Sequence, residues 1–126
     1  MILVDTSVWV DHLRKGDARL KALLETGQVL IHSFVIGELA LGNLRQRDAI
    51  LQPLQDLPQA VSADAGEVLG FIERNALFGL GIGYVDAQLL ASARLSAAHL
   101  WTHDKRLNQV AIRLGLAALT SGEAKP

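Results

Sequence analysis

The chain has 126 residues, 50% hydrophobic and 20% charged, enough for one packed domain and too few for two. Its formal net charge of −1 supplies no overall field to draw in a polyanion, and 5% aromatic content leaves little from which to build a base-stacking platform. The absence of cysteine excludes disulfides, thiolate metal sites and a cysteine nucleophile.

Ile2-Leu3-Val4 is a short run of branched residues, and helical spacing starts straight after Asp5-Thr6-Ser7, so a buried strand feeds a helix. Leu20, Leu23 and Leu24 repeat at helical spacing before Gly27, which stands where a C-cap glycine belongs. Val29-Leu30-Ile31 reads as a second strand, and Ser33 as the N-cap of a helix reaching about Asn43. Pro53 and Pro58 bracket a loop or broken helix, and a strand is expected around Ala60-Val61. Asp64 and Glu67 form a capping-box pattern, followed by a Val68, Leu69, Ile72, Ala76 stripe that ends at Gly79. Tyr84 to Leu95 and Lys105 to Leu114 are two further helices, with Leu100-Trp101 a strand between them and Leu116-Ala117 a strand after them.

Strands that alternate with helices and look buried on both faces predict an α/β fold with a central parallel sheet, whose ligand sites lie at the carboxyl ends of the strands. Residues 1–120 are expected to form a single domain and residues 121–126 a flexible tail. The first apolar run stops at Asp5 without a basic leader, and no apolar segment approaches membrane-spanning length; the expectation is a cytoplasmic protein with no membrane contact.

Four acids stand alone. Asp5 is the only charged side chain from Met1 to Val10, Glu38 between Val29 and Leu44, and Asp86 between Ala76 and Ala93; Asp104 follows Leu100-Trp101-Thr102-His103. A lone ionised carboxylate in apolar surroundings needs a cation, a set of donors or water. Each could also serve the fold alone: Asp5 as a helix cap, Asp86 as a first-turn acid favoured by the helix dipole, Asp104 as a charged helix start, Glu38 in a buried salt bridge. Taken together they are expected to converge on one end of the sheet and to hold a divalent cation. An all-oxygen donor set selects Mg²⁺ or Mn²⁺ over Zn²⁺. Such a cluster can activate water and screen a phosphodiester.

The segments ILVDTSVWVDHL, SFVIGELALGNL, GIGYVDAQLLASA and LWTHDKRL resemble the PIN-domain ribonucleases, and specifically the VapC toxins of bacterial toxin–antitoxin modules. The resemblance covers nearly the whole chain and is least diagnostic from about Gln46 to Phe78. It implies an α/β/α sandwich around a parallel sheet, Mg²⁺- or Mn²⁺-dependent endoribonuclease activity, a homodimer and a cognate VapB-like antitoxin. Asp5, Glu38, Asp86 and Asp104 fall on the family's acidic positions. Ser7 or Thr6 stands where a hydroxyl supports the first carboxylate, and Thr102 takes the hydroxyl position before the last. His103 occupies a place where Arg or Asn is commoner in similar sequences. Arg14, Lys15, Arg45, Arg47, Lys105 and Arg106 are the candidate contacts to RNA phosphates.

The remaining signals carry less. The GLGIG run follows a helix and lacks the third-glycine spacing of a dinucleotide loop, so it reads as a flexible approach to the Asp86 helix. His12, His32, His99 and His103 share no ligand spacing, and Trp9 and Trp101 are expected in the core or at a dimer face. A haloacid-dehalogenase type of phosphoryl transfer needs a second aspartate where Ser7 stands. The same four acids would also suit a metal-dependent DNA nuclease or, without turnover, a catalytically inert PIN-like binding module.

Overall fold

The computed structural model describes residues 1–118; the tail expected at 121–126 lies outside the described residues. The elements run β1 (Ile2–Val4), α1 (Thr6–Lys15), α2 (Ala18–Glu25), β2 (Val29–Leu30), α3 (Ser33–Leu41), α4 (Arg47–Gln55), α5 (Ala65–Arg74), α6 (Tyr84–Leu95), β3 (His99–Trp101) and α7 (Lys105–Arg113). The strands form a parallel sheet in the order β2-β1-β3, with Leu3 opposite Leu30 and Val4 opposite Trp101. Successive strand residues point to opposite faces, yet Leu3 and Val4, Leu30, Leu100 and Trp101 are all buried, so both faces of the sheet are covered. The expected α/β architecture with a central parallel sheet is what forms.

Two of the expected strands shrink to single bridges, Ile31 with Gln59 and Leu100 with Ala117. Both extend the sheet at its margins, where one strand on one side is all the pairing on offer. The helix expected to stop at Gly79 ends instead at Arg74, with Asn75 as its C-cap and Ala76 in the left-handed region at φ 50°. Trp9 and Trp101 belong to the core.

Ser33 is not the cap of α3. His32 takes that place: its Nδ1 accepts from the Phe34 N–H at 2.9 Å. An accepting Nδ1 carries no proton, so the hydrogen of the neutral ring sits on Nε2 and is donated to Ser92 Oγ at 3.0 Å. Ser92 Oγ then donates to Gln88 Oε1 at 3.2 Å, and Gln88 Nε2 donates to the Ala63 carbonyl at 2.9 Å. This buried chain ties α3 to α6, the two helices that carry Glu38 and Asp86.

Burial depresses the His32 imidazole below its ordinary value. The unfolded chain therefore takes up a proton that the folded one refuses, and stability is complete above the ordinary histidine range and lost as pH falls through it. Thermal unfolding followed by circular dichroism should show the midpoint dropping on acidification through that range. His32→Asn, which keeps a side-chain acceptor for the Phe34 N–H but does not titrate, should flatten that part of the profile.

Candidate active site

The register of the sheet assembles the first pair of groups. Val4 pairs with Trp101, and the Asp5 N–H donates to the Trp101 carbonyl at 2.9 Å, so Asp5 and Thr102 leave adjacent strands side by side at the carboxyl edge. Thr102 Oγ1 donates to Asp5 Oδ2 at 2.7 Å, and Ser7 Oγ donates to the same oxygen at 2.7 Å. Each hydroxyl also accepts from the loop after β3: Ser7 from the His103 N–H and Thr102 from the Asp104 N–H, both at 3.0 Å. Asp5 occupies the N-cap position of α1 but makes no side-chain capping bond; its carboxylate is turned to the hydroxyls.

The other three acids are held in the same economical way. Thr6 Oγ1 donates to Glu38 Oε1 at 2.6 Å, joining the first turn of α1 to the second turn of α3. Asp86 Oδ2 accepts from the Gly83 N–H at 3.0 Å, and Asp104 Oδ1 accepts from the Leu107 N–H at 2.9 Å. Each carboxylate thus spends one oxygen on a protein donor, and its second oxygen has no protein donor among the described residues.

The charges of the other three acids reach Asp86. Burial pushes the Asp86 carboxyl above the usual aspartate range; the Gly83 N–H works against the rise, and the charges of Asp5, Asp104 and Glu38 all add to it. No lysine or arginine forms an ion pair with any of the four among the described residues, so the buried salt bridge considered for Glu38 is absent. The apolar neighbours of Glu38 in the sequence do not bury it: its side chain is exposed. Helix α3 buries Val35 and Leu39 and exposes Phe34, Glu38 and Leu41, an apolar stripe at helical spacing with the acid at its centre.

The donor set suits a hard divalent cation: oxygens only, mutually repelling and without a counter-cation. In this conformation no three acidic, histidine or cysteine side chains among the described residues are close enough to share one ion. Ligation of one ion by three of them would require these side chains to draw in from the positions that their hydrogen bonds hold.

The basic residues expected at phosphates divide into distinct groups. Arg14 and Arg45 line a groove of about 540 Å³ together with Glu38 and the apolar Val10, Leu13, Leu39 and Ile50. Arg106 packs against the GLGIG loop. A Cβ on Gly81, whose φ is 79°, would collide with the Arg106 guanidinium, so glycine there serves both the left-handed backbone and the close approach. Lys15 and Lys105 are exposed at an end of α1 and α7. Arg47 is committed elsewhere: its Nη1 donates to the carbonyls of Ala40 at 2.7 Å and Gly42 at 3.3 Å, capping the end of α3.

The match of this chain to known proteins agrees with the site. A family model described as PIN domain matches residues 2–113. Ribonuclease VapC32 of Mycobacterium tuberculosis is 49% identical over 118 residues, 93% of this chain and 95% of that protein. The chain belongs to the PIN-domain family, in its VapC branch. Among solved PIN-like structures, FitAcB from Neisseria gonorrhoeae aligns with a TM-score of 0.64 at 22% identity, over 89% of this chain and 94% of that one. PAE2754 from Pyrobaculum aerophilum aligns at 0.57 and 19% identity, over 90% and 88% of the two chains. At such identities the two structures speak for the PIN fold alone. Two contacts near the acids of this PIN domain were not legible in the sequence pattern: Gly81 against Arg106, and Asp11, whose Oδ2 lies 2.7 Å from His103 Nδ1. The φ at Gly81 leaves no mark in the sequence, and Asp11 reads as an ordinary surface acid.

A carboxyl raised above its unfolded value contributes stability on the acid side that is lost as pH rises through the folded value. Ionised Asp86 is therefore a liability at neutral pH in chelator. Asp86→Asn keeps an acceptor for the Gly83 N–H and removes the repulsion. Differential scanning calorimetry in EDTA at neutral pH should show a higher unfolding midpoint for the variant than for the unaltered chain.

Proposed function

We propose that this chain is a divalent-metal-dependent endoribonuclease, the toxin component of a type II toxin–antitoxin pair. The single observation that carries the reading is that the charges of Asp5, Glu38 and Asp104 all bear on Asp86 while none of the four forms an ion pair with a lysine or arginine among the described residues. The 49% identity to a protein named a ribonuclease supports the choice of RNA over DNA and over an inert module.

Asp5, Asp86, Asp104 and Glu38 would hold Mg²⁺ or Mn²⁺ through the oxygens that carry no protein donor. When bound, such an ion supplies Lewis-acid activation of water and stabilises negative charge developing on the scissile phosphate. The chain's own contribution is orientation. Ser7 and Thr102 fix the plane of the Asp5 carboxylate, and Thr6 fixes Glu38. The Asp86 and Asp104 side chains are anchored to the N-terminal turns of their helices, each by one oxygen, which leaves the other to turn toward the ion. Arg106, Lys105, Lys15, Arg14 and Arg45 are the residues offered to flanking phosphates, and Arg47 contributes through the end of α3.

The VapB-like antitoxin of this reading has a seat available in the groove beside Glu38, where apolar walls can take its side chains and Arg14 and Arg45 its carboxylates. Exposed Leu69, Phe78 and Tyr84 offer surface to a second copy in the expected homodimer. No helix of the described residues is long and apolar enough to cross a membrane, in keeping with the cytoplasmic setting of this reading.

The test is cleavage of labelled single-stranded RNA and of DNA of the same sequence by purified protein, in Mn²⁺ or in EDTA. The expected result is RNA cleavage in Mn²⁺ alone, falling by about a hundredfold or more in Asp5→Asn or Asp86→Asn, the scale of losing one preorganised electrostatic group. Undiminished cleavage by either variant, or cutting of DNA only, contradicts the reading.

A further inference from the structure

Arg19 is a cation that the sequence pattern does not single out, and the fold brings it to the carboxyl end of β3. Its guanidinium carbon lies over the Trp101 ring, 5.4 Å from the centroid. Trp101 is the last residue of that strand: its carbonyl accepts from the Asp5 N–H at 2.9 Å, and the next residue, Thr102, donates to Asp5 Oδ2. The Trp101 ring is buried, and the His103 ring meets it edge-on with centroids 6.2 Å apart. The main chain of Arg19 is equally well set. The Asp17 N–H donates to His12 Nδ1 at 2.9 Å, which ties the turn between α1 and α2. Asp17 Oδ1 then accepts from the N–H groups of Arg19 at 2.9 Å and of buried Leu20 at 3.0 Å. Asp17 is thus spent as a helix cap, and no carboxylate forms an ion pair with Arg19 among the described residues. A second arginine over a ring, Arg94 on Phe71, is put to structural use, because its Nη2 donates to the Leu114 carbonyl at 3.0 Å. The Arg19 side chain makes no such hydrogen bond among the described residues.

We infer that Arg19 is an RNA-contacting residue and Trp101 its positioning residue, the ring presenting the guanidinium to a backbone phosphate that flanks the scissile one. A guanidinium is always charged, rests well on an aromatic face, and offers a planar fork of donors that matches phosphate oxygens. Anchored at its main chain by the capped turn and at its tip by the ring, the side chain loses little freedom when a phosphate arrives, which is how a surface residue gains affinity. A strand crossing the acidic edge must carry its neighbouring phosphates over the adjoining surface, and at the end of β3 that surface holds Arg19. A cation there also offsets the repulsion that the four acids exert on a polyanion. Phosphate contacts set register along a strand and carry no base preference. The inference rests on RNA being the substrate, as proposed above.

The test is fluorescence anisotropy of a fluorescein-labelled single-stranded RNA, and of DNA of the same sequence, over a series of KCl concentrations in the Asp86→Asn background, where the RNA stays intact. Arg19→Met, whose unbranched side chain still covers Trp101, is expected to weaken binding about tenfold, the scale of a charge-assisted contact. It should also lower the slope of log affinity against log salt by about 0.7, the share of one phosphate on a single strand, and leave the unfolding temperature unchanged. Arg19→Lys, a charge without the fork, should restore the slope and only part of the affinity. Trp101→Leu should weaken binding when Arg19 is present and add nothing to Arg19→Met. Trp101 belongs to the core, so the two Arg19 variants decide the matter if Trp101→Leu does not fold. RNA and DNA should be affected alike. Unchanged affinity and slope in Arg19→Met, additive losses in the double variant, or a loss confined to RNA overturns the inference. So does a drop in unfolding temperature with binding intact, which marks Arg19 as mere cover for the ring, or a background protein that binds no RNA. RNA cleavage in Mn²⁺ by the unaltered chain is measured alongside: its absence, with the binding result as expected, counts against the nuclease reading alone, and its presence with unchanged binding in Arg19→Met counts against this inference alone.

Discussion

The charges of Asp5, Glu38 and Asp104 bear on Asp86, none of the four carboxylates pairs with a lysine or arginine among the described residues, and the arrangement depends on how their repulsion is contained. The protein assigns one oxygen of each to an internal donor and, among the described residues, leaves the other uncommitted. A hydroxyl or an N–H offsets part of the desolvation without cancelling the charge, whereas an arginine would cancel it and occupy the space. Asp86, the acid on which the other three press, shows what remains uncompensated.

The fold supplies that containment at short range. Parallel register brings Asp5 and Thr102 together at one strand edge, and α1 starts there, so Thr6 and Ser7 reach two different acids from consecutive positions. The buried His32, Ser92 and Gln88 chain ties the helix bearing Glu38 to the helix bearing Asp86. Gly81 lets Arg106 come down on the loop that leads into α6. Core hydrogen bonding and loop backbone thus hold the elements that carry Glu38 and Asp86.

Much of this was legible in the sequence because isolated acids in apolar runs are chemically conspicuous. The three main strands, the helix from Tyr84 to Leu95 and the Asp64–Glu67 capping box also follow directly from periodicity and capping chemistry. What escaped depends on contacts between distant segments. His32 displaced Ser33 as a cap because a buried serine on α6 was there to take its other nitrogen. Glu38 came out exposed, on a face of α3 shared with Phe34 and Leu41 and at the edge of a groove that no local pattern reveals. Arg47 looked like a free cation until the end of α3 claimed it. The partnership of Asp11 and His103 spans 92 positions, and nothing near either residue announces it.

That these acids form one cation site is tested most directly by a crystal of the protein soaked in Mn²⁺, with anomalous diffraction recorded at the manganese edge. The predicted result is a peak between Asp5 and Asp86, reached by the oxygens that hold no protein donor, with Asp104 or Glu38 drawn toward it. A map with no manganese at this edge of the sheet, or with manganese bound only elsewhere on the surface, would contradict it.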